Sequence, residues 1–153
     1  MSTFKKMLLL SLIIFSLSLV YYVIPVEVEG VVEHKVINGY YGNTCDSIFN
    51  APHPAESWIL ADDEDFEPFF TQGDMNLYVN DSLKEFLERK YASVDYYVGV
   101  RLISDDPANG VYEGETCTYY VSLEDFNKVK IDNKVKCKIP RYRFARIDNI
   151  TIL

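Results

Sequence analysis

Glycine, proline, cysteine and histidine are all scarce in this chain: 7, 6, 3 and 2 of 153 residues. So few Gly and Pro exclude collagen-like and low-complexity classes, and 14% aromatic residues is far from the composition of a disordered chain. The length suits one packed domain. With two histidines the choice of thiol or metal chemistry is narrow. His34 falls mid-strand and His53 sits between Pro52 and Pro54, so neither stands in a nucleophile motif. The scattered cysteines and histidines have no zinc-ligand spacing. A phosphate-binding glycine loop, a nucleophile elbow and a dinucleotide fingerprint are all missing, so no cofactor and no catalytic activity is implied. Positive charge is also short, with a formal net charge of −8. That balance argues against whole-molecule attraction to nucleic acid.

Against these shortages stands one long apolar run, Met7 to Ile24, MLLLSLIIFSLSLVYYVI, with three serines as its only polar interruptions. As a helix, eighteen residues at about 1.5 Å each cover roughly 27 Å, close to the ~30 Å thickness of bilayer hydrocarbon. Lys5 and Lys6 flank one end, Tyr21 and Tyr22 mark the other, and Pro25 stops the helix. A cleaved signal would need small residues soon after the run, yet the first alanine of the chain is Ala51. The expected organisation is a cytoplasmic stub (1–6), a transmembrane anchor or uncleaved signal (7–24), and an extracytoplasmic domain (25–153), with the lysine-flanked end inside.

Residues 25–153 read as mainly β, an α+β domain. Val26 to Ile37 alternates Val26, Val28, Val32 and Val36 against Glu27, Glu29, Glu33 and Lys35, with Gly30 a possible bulge. Residues 38–57 hold a turn signal at Asn38-Gly39 and prolines at 52 and 54, and read as a long loop. Trp58–Leu60 and Met75–Val79 are brief strand candidates. Ser82-Leu83-Lys84-Glu85 fits a capping box that opens a ten-residue helix. Val94 to Ile103 alternates best, Asp105 to Gly110 is a turn by composition, and Thr116 to Val121 is a further strand. Ser122 then caps a single helical turn before strands at Lys134–Ile139 and Arg143–Ile152. Such a succession predicts a small antiparallel β-barrel or sandwich with one short helix. The stretch FNKVKIDNKVKCKI, residues 126–139, resembles the turn-then-strand phrasing of OB-type barrels, and the resemblance implies an OB-like fold but no activity.

Three clusters are candidate sites. Asp62, Asp63, Asp65 and Glu67 could offer oxygen ligands to calcium, although their spacing fits no EF-hand and they interleave with Phe66, Phe69 and Phe70. Rings tucked inward with wet carboxylates, or an exposed partner-binding loop, would explain them as well. Lys134, Lys136, Lys138, Arg141 and Arg143 form a basic stretch suited to an anionic ligand, or to edge protection and pairing with the domain's own acids. Cys117 and Cys137, expected on adjacent strands, are the preferred disulfide, leaving Cys45 over. Asn80 and Asn149 head glycosylation sequons. The reading as a whole is a membrane-anchored binding or interaction module of the cell envelope. Its partners would be the bilayer through residues 7–24 and an envelope or membrane protein. Calcium at the acidic loop and anion binding at the basic strands are the alternatives.

Overall fold

The computed structural model describes residues 3–53, 56–59, 64–71, 73–107, 110–143 and 145–153. Helix α1 spans Thr3–Val23 and has no buried residue. It is long and apolar enough to cross a membrane. Its serines do not interrupt that character, because Ser11, Ser16 and Ser18 donate to the carbonyls of Leu8, Leu12 and Ile14 at 2.8, 2.8 and 2.9 Å. Each hydroxyl is thereby satisfied within the helix.

Strand β1, Val26–Tyr41, organises everything that follows. It is sixteen residues long, and three antiparallel partners share it. Residues 26–31 pair with β6 (Lys134–Ile139), 35–41 with β2 (Thr44–His53), and 30–40 on the opposite edge with β4 (Ser93–Leu102). β3 (Glu56–Ile59) extends β2, β5 (Thr116–Val121) extends β4, and β7 (Asn149–Ile152) extends β6. The result is one seven-stranded antiparallel sheet with an N-terminal apolar helix and short helices at its margins. It is not closed into a barrel: β5 and the β7 side meet at a single parallel bridge, Tyr120 with Arg146.

Several sequence expectations need correction. The stretch after residue 38 contains strand β2, with Ile48, Phe49 and Ala51 buried. The reversal lies at Gly42, whose φ of 56° suits a residue without Cβ, and not at Asn38-Gly39. Met75–Val79 is not a strand, although Leu77 and Val79 are buried. The last strand is confined to β7 because Ala145 takes a φ of 56°, incompatible with a β ladder. Helix α2 covers Asp81–Lys90 and is capped by Asn80, whose side chain accepts from the Leu83 amide at 2.9 Å. Asn80 thus has a structural duty, whereas Asn149 is exposed on β7.

The bulge expected at Gly30 falls instead between Val32 and His34, opposite β4. That extra residue shifts the alternation by one, so Lys35 and Ile37 turn inward while Val36 does not. The core below gathers Val28, Val32, Ile37, Val98, Val100, Tyr119, Phe126, Val135 and Ile139 from β1, β4, β5, β6 and α3 (Leu123–Lys128). Under the far half of β1, Leu83 and Leu87 of α2 bury beside Phe66 of the 3₁₀ segment Glu64–Phe69. The Phe66 and Phe69 rings both lie 5.1 Å from the Phe86 ring.

Candidate functional site

The basic stretch separates into two groups once the strands are assembled. β6 lies against the first half of β1, with Glu27 opposite Lys138 and Glu29 opposite Lys136. Glu27 accepts Lys136 at 2.7 Å and has Lys138 at 3.9 Å. The Lys136 ammonium holds the Glu27 carboxyl below the usual range, and Glu27 raises Lys136 in return. These lysines are therefore taken up largely by the neighbouring strand. Lys134 is exposed at the start of β6.

The arginines beyond β6 go elsewhere. Arg141 Nη1 donates to the Tyr21 hydroxyl at 2.9 Å, its Nε donates to the Ile24 carbonyl at 3.2 Å, and the guanidinium lies 4.2 Å from the Tyr21 ring centroid. A cation is thus fixed at the C-terminal end of α1, where free carbonyls and the helix dipole favour it. The Arg143 amide donates to the Pro140 carbonyl at 3.2 Å, which turns the chain so that Arg143 lies over the Tyr142 ring at 5.5 Å.

A second cluster occupies the outer face of β1, β4 and β5, and the sequence reading did not single it out. Glu33 accepts Arg101 Nε at 2.6 Å and Thr116 Oγ1 at 2.7 Å; the threonine bond, then the arginine, lowers its carboxyl. His34 Nε2 meets Thr118 Oγ1 at 2.7 Å, and burial lowers the imidazole despite the opposing pull of Glu33. The ring lies flat over Gly99, where a Cβ would come within 1.9 Å of it. Gly99→Ala is expected to displace the ring, break the His34–Thr118 bond and cost about 1 kcal/mol. The His34 imidazole NMR signal and a denaturant titration would check both effects. Further along, Tyr97 donates to Asp95 at 3.2 Å and sits edge-to-face with Tyr120 at 5.8 Å, while the Arg146 guanidinium lies 4.8 Å from the Tyr120 centroid. Arg146 Nε is shielded from water with no hydrogen-bond partner among the described residues. Asp148 lies 3.9 Å away.

Of the acidic loop, Asp62 and Asp63 lie outside the described residues. Asp65 approaches Lys90 at 3.8 Å, and Glu67 is exposed. Among the described residues, no three His, Cys, Asp or Glu side chains are grouped so as to hold a metal ion. The cysteines do not follow the expected pairing, and Cys45, Cys117 and Cys137 are free thiols. β5 and β6 are not neighbours, because β4 and β1 stand between them in the ladder. Cys45 is exposed, while burial raises the Cys117 thiol and pushes Cys137 up to about 12.

Compared with known proteins, the chain matches no family model, no curated protein and no solved structure.

Proposed function

We propose that this is a single-pass membrane protein whose β-rich domain, on the extracytoplasmic side, is a binding or interaction module. The carrying observation is α1: 21 residues, apolar, without one buried side chain, and joined to the domain by Arg141. A helix apolar all round with none of its side chains buried calls for lipid as its surroundings. Lys5 and Lys6 at its start favour an inward N-terminus. The finer fold reading is OB-like. Its support is the order β1-β4-β5, a helix, then β6-β7, with β6 returning to β1 and the parallel bridge from Tyr120 to Arg146. OB folds bind extended ligands across the face of their second and third strands, which correspond to β4 and β5 here. Tyr97, Tyr120 and Arg146 give that face the aromatic and cationic character an anionic ligand would use.

Topology is testable with the chain's own chemistry. In cells expressing the full chain, a membrane-impermeant maleimide should label the exposed Cys45 without lysis, and Cys45→Ser should remove most of the label. The chain should also stay with membranes in alkaline carbonate. Labelling only after lysis would reverse the orientation, and release by carbonate would overturn the anchor.

A further inference from the structure

We propose that the turn Arg141-Tyr142-Arg143 is a binding site for the phosphodiester headgroup of anionic phospholipids in the leaflet that meets the end of α1. The inference rests on α1 spanning a bilayer, and it adds a ligand that membrane insertion alone does not require.

Tyr21 lies in the last turn of α1 and Ile24 follows that end directly, so both mark the level where a spanning helix leaves the hydrocarbon. Arg141 is bonded to both residues, which fixes its guanidinium at the same level, and the Tyr21 ring beneath it occupies one face of the cation. Only Nε and Nη1 are used in those bonds, so Nη2 and the remaining Nη1 hydrogen are left for an acceptor. A guanidinium fork matches two phosphate oxygens, which an ammonium does not.

Arg143 adds a second cation to the same turn, and Tyr142 between them is 58% exposed. An exposed tyrosine is normal for a residue whose ring sits among headgroups. Neither arginine has an ion-pair partner among the described residues. The contrast with β6 is informative, since Lys136 and Lys138 on the preceding strand are satisfied by Glu27. Glu27 holds Lys136 and approaches Lys138, whereas Arg141 at the end of α1 and Arg143 beside it have no carboxylate partner among the described residues.

The test uses the full chain in nanodiscs of phosphatidylcholine containing about one-third phosphatidylglycerol, an anionic surface of the kind that attracts basic juxtamembrane groups. After mild extraction, lipids retained on the protein are counted by native mass spectrometry. The wild type should retain phosphatidylglycerol over phosphatidylcholine at a ratio about tenfold above that of the disc, and Arg141→Gln/Arg143→Gln should bring the ratio back to about that of the disc. Lys134→Gln removes an exposed charge at the far end of β6 and should leave the enrichment in place. Equal enrichment in the double variant would overturn the proposal, as would displacement of the bound lipid by millimolar inorganic phosphate, which would make the site one for soluble anions. A double variant that fails to fold would be recognised by its circular dichroism; Arg141→Lys, which keeps the charge and loses the fork, then serves in its place and should lower the retained lipid ratio several-fold. A chain that carbonate strips from membranes would instead overturn the anchor reading. A chain that stays integral but shows no headgroup preference overturns this inference alone.

Discussion

Phe126→Ala is expected to destabilise the domain by about 3–5 kcal/mol, the range for emptying a large aromatic site in a core that relaxes only in part. Phe126 is fully buried on α3, its ring 5.4 Å from that of Tyr96 on β4. The Lys35 ammonium also lies over its ring, 4.1 Å from the centroid. Truncation therefore opens a cavity and also strips a desolvated cation of its aromatic partner, a contact worth about 2 kcal/mol when water is excluded. Denaturant titration of the full chain in detergent, followed by near-ultraviolet circular dichroism, measures the loss. Phe126→Leu should cost less, because it keeps most of the volume. A loss under about 1 kcal/mol for the alanine variant would show that α3 does not close the core in this way.

The second large effect is a pH dependence centred on Lys35. The residue is 1% exposed, and its ammonium donates to the carbonyls of Val129 at 3.0 Å and Leu77 at 3.3 Å. Burial pushes it down to about 8; Asp74 opposes that shift and Lys130 adds to it. In the unfolded chain a lysine titrates near 10.4. Between those values the folded protein has released a proton that the unfolded chain still holds, so stability rises with pH across that window. The rise should amount to about 3 kcal/mol, complete once pH passes the unfolded value. Cys117, Cys137, Tyr96, Tyr97 and Tyr119 are all raised in the fold and act in the opposite sense, each losing stability as pH climbs above its unfolded value. The difference between wild type and Lys35→Met cancels those groups. It should move in favour of the wild type by about 3 kcal/mol between pH 7 and pH 11, approximately. A flat difference would mean that Lys35 is solvated.

Lys35 also shows why only part of this structure was legible from the residues. Simple alternation places it outside with Glu27, Glu29 and Glu33, and a single bulged residue between Val32 and His34 reverses that. The elements that could be read were those in which local pattern and tertiary demand agree. α1, β4, β5, β6 and the Ser122-capped α3 fall within a few residues of their expected limits. β2 escaped notice because its turn-rich composition, Asn, Ser, Ala and Pro, is overridden by pairing with β1 and by burial of Ile48 and Phe49. The outer-face cluster of Glu33, His34, Arg101, Thr116 and Thr118 draws on three strands up to 84 residues apart in sequence, so it exists only once the register is known. The division of the basic stretch had the same cause. Lys136 and Arg141 look alike in sequence, and only the pairing of β6 with β1 separates the neutralised cation from the one at the helix end.

The shortness of the join between helix and sheet has its own consequence. Only Ile24 and Pro25 separate α1 from β1, and proline fixes one of the few torsions available there. With α1 in a bilayer, the domain has no stalk. Its reach into the surrounding fluid is set by its own dimensions, and a soluble ligand must come to within a domain's length of the lipid to be met. Another membrane protein is confined to the same plane, so encounters between the two become a lateral search within a thin slab, at a local concentration far above that of a freely diffusing pair.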